Sequence, residues 1–344
     1  MWRFARILLT TLFITSLTNP LYAAEAEFVL KVHHMLPPPA MPHAKILVPW
    51  AEKVMKESNG RIKVDVYPSM QLGGKPPELI NQARSGLADV IWTVGGYSPN
   101  LFTKASAFEL PFMVTNAEAT SKALWEYAQT NMQDEMADYK VLALHVHDRG
   151  VVHAVDKQVK SASDIKGAKF RAPNKVMSKA FGLLGANPVF MPVPAVASGL
   201  SKGVINMVAL PYEVLPSFKL QELVKYHTEI PGDRGLYANF FIFAMNKDVY
   251  NKMPADLQKV IDNNSGLELS GHIGSLFDAQ EDKHKGVTAK AGGKFTELSA
   301  SEVANWKKAM QPITDEWIAR MNKEGKNGKK LYAEANRLLD KHSK

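Results

Sequence analysis

The chain of 344 residues contains no cysteine. That excludes thiol nucleophiles, thiolate zinc sites and iron–sulfur ligation. It also leaves no disulfide to support the fold, which a chain of this length does not need to build a core. Local enzyme signatures are scarce as well: there is no H-E-x-x-H, P-loop or G-x-G-x-x-G. Beyond the N-terminus no apolar run is long enough to cross a bilayer. Basic residues outnumber acidic ones, 42 to 34, for a formal net charge of +8. The surplus is spread thinly, clustering only at Lys323–Lys330 without interleaved aromatics, which argues against a nucleic-acid surface. A diffuse positive surface instead suits an anionic ligand.

At the N-terminus, Arg3 and Arg6 precede a short apolar run, Ile7 to Leu17, and then Ala24-Glu25-Ala26. This is the pattern of a secretory signal peptide over residues 1–26, with cleavage after Ala24 or Ala26. The mature chain is therefore expected to be exported, without inserting into the membrane.

The remaining length suggests two domains. "EFVLKVHHML", "RIKVDVYP" and "LADVIWTV" read as strands. Helices from about His43 to Glu57 and over "PPELINQARSG" separate them, a β-α-β-α-β order that predicts a parallel sheet. A second α/β block spans roughly 150–235. Thr115 with Glu118, and Ser299 with Glu302, have capping-box spacing. The apolar strand Tyr237–Asn246 precedes a long helical stretch that starts at Pro254. Pro312 is expected to kink the last helical region. Two α/β blocks joined by crossing strands leave a cleft, and ligands in open α/β sheets bind outside the carboxyl ends of strands. The relevant exits are His33-His34, Trp92 to Tyr97, Arg171 to Asn174, and Leu210 to Glu213.

Arg171 ends the short strand "AKFR". A guanidinium grips a carboxylate through two parallel hydrogen bonds, which lysine cannot reproduce. On residues alone two readings stand: a ligand anchor, or one half of an interdomain salt bridge. Asn174 is one short turn away as a further donor. Gly95-Gly96 permit close backbone approach, and Trp92 and Tyr97 can wall a ring or pack in the core. His33 and His34 point to opposite faces of a strand, so they do not share a metal; His34 is taken as the one facing a ligand. His145 and His147 share a face, but no third metal ligand is in view.

The segments "YPSMQLGG", "ELPF", "DIKGAKFRAPN", "LGANPVFMPV" and "MNKDVYNKMPADLQKVI" carry a resemblance covering nearly all of the mature chain. It resembles the extracytoplasmic solute-binding proteins of tripartite ATP-independent periplasmic (TRAP) transporters, the dicarboxylate-binding-protein family. The resemblance implies an α/β two-domain periplasmic binding protein, type II-like. It has a cleft between domains, crossing hinge strands near 145–152 and 235–243, and a long C-terminal helix. Residues 27–148 plus 237–276 would form the first domain, and 149–236 plus 277–344 the second with the C-terminal helices. The family's carboxylate-gripping arginine falls on Arg171, followed by Asn174. Many members have a second arginine where this chain has Val151 and a polar strand end at Val208-Ala209-Leu210-Pro211, and sialate-type members have Glu and Arg where this chain has Val94 and Tyr97. Together with Trp92 to Met113 and Met191 to Glu229, these replacements resemble the aromatic-acid branch. Trp92, Tyr97, Tyr212 and Phe240 or Phe241 would then supply the walls, and His34 would answer a keto or hydroxyl oxygen.

The expected function is that of a periplasmic receptor for an aromatic monocarboxylate, delivered to the membrane subunits of a TRAP transporter. No catalytic residue, metal or cofactor is assigned. The alternatives are a receptor for an aliphatic keto acid or dicarboxylate and, more distantly, a secreted hydrolase or isomerase using the same cleft.

Overall fold

A computed structural model describes residues 25–344. The expected leader falls almost wholly outside the described residues. Strands β1 (Phe28–His34), β2 (Ile62–Tyr67), β3 (Val90–Val94) and β4 (Tyr139–Val146) come first. They are followed by β5 (Val151–Ala154), β6 (Lys169–Ala172), β7 (Asn187–Phe190), β8 (Met207–Leu210) and β9 (Tyr226–Glu229). The last two are β10 (Phe240–Asn246) and β11 (Lys294–Glu297). Among the described residues these build two sheets, ordered β2-β1-β3-β10-β4 and β11-β9-β5-β8-β6-β7. β1, β2 and β3 are mutually parallel, as the β-α-β-α-β order requires. β10 enters antiparallel between β3 and β4. Its sequence, "FFIFAMN", is apolar on both faces, and every residue of it is buried.

The chain passes between the sheets three times: at 147–150, at 230–239, and through the helix Leu267–Lys290, which leads to β11. The first two crossings touch, with Gly150 N–H donating to the Tyr237 carbonyl at 2.9 Å. The long helical stretch expected from Pro254 is divided. Gly266, at φ 99, separates Ala255–Asn263 from Leu267–Lys290, because a left-handed residue ends one helix before the next begins. The helix Ala300–Lys323 continues through Pro312.

The helix Ala117–Asn131 is capped by Asn116, whose side chain accepts from Ala119 N–H at 2.7 Å, and not by Thr115. Thr115 bonds Thr120 instead. Ser299 caps its helix as its spacing suggests. The free N-terminus of Ala117–Asn131 has a second partner. Asp278 on the long helix accepts from Ala117 and Glu118 N–H at 2.8 and 2.9 Å. Gly274, one turn earlier on that helix, is what allows this approach: a Cβ there would collide with the Ala117 carbonyl. We propose drawing the two units from the sheets. The last helix, Gly328–His342, packs on Ala117–Asn131 and so goes with the first unit, whereas the sequence expectation had grouped it with the second.

Gly274→Ala should lower stability by about 1–3 kcal/mol, because the obstacle is backbone and cannot rotate away. Denaturant unfolding checks this. An unchanged midpoint would mean that the two helices separate freely.

Candidate ligand-binding site

β6 lies between β8 and β7, with Arg171 opposite Val208 and Val189. Phe170 stacks on Phe181 of the helix Lys175–Leu183, with ring centres 3.9 Å apart. Alternation along the strand then turns Arg171 to the other face of the sheet, toward the first unit. Arg171 is only 1% exposed. Its Nε donates to the Met191 carbonyl at 3.0 Å and Nη1 to the Ala209 carbonyl at 2.9 Å. Among the described residues no carboxylate forms an ion pair with it. The salt-bridge reading of Arg171 is therefore not the arrangement the structure contains. A buried cation held only by neutral carbonyls is expensive, by several kcal/mol, and a bound anion would offset that cost.

The register of the first sheet decides what faces Arg171. His34 pairs with Trp92 across β1 and β3, while Phe241 pairs with Val94 on one side and His145 on the other. These residues therefore share a face, and Phe240 takes the opposite one. Trp92 and Phe241 stack at 4.6 Å and 17°, and Phe241 stacks on His145 at 4.8 Å and 3°. Trp92 Nε1 donates to His145 Nε2 at 2.8 Å, which fixes the indole. Trp92, Val94, Tyr97 and Phe241 line a cavity whose second side is Val193, Leu210, Pro211 and Val214. Arg171, His147, Asn239, Glu213, Met35 and Leu36 complete it. The cavity is small, about 30 Å³, on the scale of a water or two. Admitting a ring requires the two walls to part.

Hydrogen bonds tie the units together around this space. Tyr97 hydroxyl, from the first unit, accepts from Val193 N–H of the second at 3.0 Å. Burial raises the Tyr97 hydroxyl, opposed by the positive charge of Arg171. Asn174 Nδ2 donates to Asn239 Oδ1 at 3.0 Å. His147 bonds the Asp148 carbonyl through Nδ1, and its Nε2 accepts from Asn239 N–H at 3.0 Å. Burial first, and the Arg171 charge after it, lower His147 to about 4, so it is neutral and its Nε2 is an acceptor.

Residues 33–320 match the model of the bacterial extracellular solute-binding protein family 7. The chain belongs to this family. Its members are substrate-binding receptors of TRAP transporters rather than enzymes, take small organic acids, and work in the periplasm. A TRAP solute-binding protein from an unidentified marine microbe, specific for aromatic acid ligands and crystallised with 3-hydroxybenzoate, is 48% identical. The match covers 93% of this chain and 100% of that one, with a TM-score of 0.91. A second, from Rhodoferax ferrireducens T118 with copurified benzoate, is 44% identical over 92% and 98% of the two chains, with a TM-score of 0.89. The C4-dicarboxylate-binding periplasmic protein DctP of Rhodobacter capsulatus is 24% identical over 90% and 92%. The two-sheet α/β architecture is the two-domain fold of these receptors. No helix among the described residues of this family member is long and apolar enough to cross a membrane.

Within the receptor, Arg171, Trp92, Tyr97 and Phe241 come together at one cavity. The other expected site residues lie outside its lining. His34 Nε2 bonds His43 Nδ1 at 2.9 Å, and its ring meets Trp92 edge-on. Asn174 is spent as the cap of Lys175–Leu183, its Oδ1 accepting from Met177 N–H. Tyr212 donates to Glu229 at 2.9 Å and packs on His153. Phe240 faces Gly95 and Phe102 because it is one residue out of phase with Phe241. His147, Asn239 and Glu213 were not assigned to the site from sequence. For Glu213 the position after β8 was the available signal; for His147 it was the position after β4.

Buried titrating groups give the receptor a stability maximum. Burial lowers His34 and His145 to about 3, His147 and His227 to about 4, and His153 well below its usual value. The unfolded chain protonates these five below about pH 6.5, so stability falls as pH drops from there. Burial raises Glu109 and Glu213 to about 8, and Asp148 is also raised well above its usual value. The fold keeps protons that these acids lose when unfolded above about pH 4.5, so stability falls as pH rises toward 8. Between those limits the histidines outnumber the acids. The denaturant midpoint should therefore peak near about pH 6.5; a monotonic rise from pH 5 to 9 would contradict it.

Proposed function

We propose that the protein is a periplasmic receptor for an aromatic monocarboxylate, which it delivers to the membrane subunits of a TRAP transporter. The observation that carries this reading is Arg171: a buried guanidinium without a carboxylate partner, at a cavity whose other walls are largely aromatic and aliphatic. One carboxylate would satisfy it through two parallel hydrogen bonds. The stacked Trp92–Phe241 pair offers a flat surface to a ring. Arg171 is the one arginine or lysine in the lining, which supports a monocarboxylate over a dicarboxylate. The relatives that bind 3-hydroxybenzoate and benzoate, at 48% and 44% identity, support the same class.

In this reading binding is coupled to closure. Arg171 and the Leu210–Val214 wall belong to the second unit, Trp92, Tyr97 and Phe241 to the first. A ligand that touches both favours the closed arrangement by the contacts it makes there and not in the open one. The crossings at 147–150 and 230–239 would absorb the motion. Of the expected contacts, His34 and Asn174 act indirectly: His34 sets the edge of Trp92, and Asn174 holds Asn239. Gly95, Tyr212 and Phe240 serve packing beside the site.

Thermal unfolding against a panel of acids tests this. An aryl acid at 100 times its Kd should add about 2.7 kcal/mol to the folded state. Arg171→Ala and Arg171→Lys should each weaken binding by about a hundredfold or more. Stabilisation by aliphatic keto acids or dicarboxylates alone would sink the aromatic reading while leaving the receptor. Equal binding by the Arg171 variants would sink the anchor.

A further inference from the structure

Glu213 is the one acidic side chain lining the Arg171 cavity. It is 5% exposed. None of the hydrogen bonds among the described residues reaches its carboxyl; only its backbone carbonyl is used, by Ser217 Oγ at 3.3 Å. The lining residues nearest it in the chain, Pro211 and Val214, are apolar, as are Met35 and Leu36 of the same cavity. A buried carboxyl left unpaired is costly, and a polar group kept at that cost in a binding cavity calls for a partner in the ligand.

The electrostatics define that partner. Burial pushes Glu213 up to about 8. Burial first, then the charges of Glu281 and Glu213, raise Asp148 well above its usual value as well. At neutral pH, Glu213 therefore presents one O–H donor and a carbonyl acceptor. A second carboxylate would find no cation there. A hydroxyl, which also donates and accepts, matches it. The fold separates this group from the anchor. Arg171 lies on β6 and Glu213 follows β8, the neighbouring strand, so both rise from the same edge of the second sheet. One ligand can meet both with different groups.

We propose that Glu213 is a specificity-determining residue, whose carboxyl hydrogen-bonds a hydroxyl carried by the bound aryl acid. The preferred ligands are then hydroxylated aryl monocarboxylates, ahead of unsubstituted ones. This rests on the aryl-acid reading above. It adds a second polar contact to the ligand, independent of the carboxylate anchor.

The test is calorimetric titration of the purified receptor with benzoate and with 3-hydroxybenzoate, reported as the ratio of the two Kd values. Wild type should prefer 3-hydroxybenzoate by about tenfold. Glu213→Leu and Glu213→Met should remove that preference, bringing the ratio of the two Kd values to about one. The two apolar variants differ in shape, so a packing failure in one does not decide the result. Glu213→Gln keeps a donor and an acceptor and should retain part of the preference. Preference that survives in a folded Leu or Met variant, or is absent in wild type, overturns the assignment of Glu213. Binding of neither acid by wild type is a different failure: it removes the aryl-acid reading and this proposal with it.

Discussion

Everything at the site depends on an arginine that the fold buries without neutralising. Arg171 is fixed by two backbone carbonyls from the adjacent strand and loop, at Ala209 and Met191. These orient the fork but carry no full negative charge. The protein thus holds in its own core an electrostatic deficit that one carboxylate relieves. Selectivity for anions follows, because a neutral ligand of the same shape leaves the deficit in place.

The aromatic wall facing Arg171 is built with the same economy. Trp92 is fixed at its nitrogen by His145, and Phe241 is fixed between them by stacking on both. A neutral His145 is required for that bond, since the indole donates and the imidazole must accept; burial keeps it neutral. Without such fixing, an indole beside a cavity can rotate and close it. Tyr97 reaches across to Val193 N–H and joins the two walls, so the aromatic side of the cleft also takes part in closure.

The resemblance to solute receptors was legible in the sequence because it rests on local patterns: a strand ending in arginine, helix caps, and turn glycines. Arg171 could be singled out there because arginine at the end of an apolar strand is chemically conspicuous. Its partner could not. Choosing between ligand anchor and salt bridge required knowing which carboxylates approach within bonding distance, and they come from distant segments. Phe240 and Phe241 were indistinguishable in sequence, since both are apolar neighbours in one strand. The register of β10 against β3 and β4 sends only Phe241 to the cavity. Asn174 was misleading for the opposite reason: the same residue that could donate to a ligand is also a good helix cap, and the cap took it.

The sequence by itself determined the β-α-β-α-β order of the first ninety residues, the apolar character of β10, and the placing of a lone arginine at a strand exit. These depend on periodicity and on residue chemistry over a few positions, which no long-range contact changes. Only the tertiary structure decided that this arginine lacks a counter-charge, that His147 and Asn239 close the space beside it, and that Glu213 lines the same cavity. Those are properties of packing: they arise where two sheets, built from segments far apart in the chain, are brought face to face.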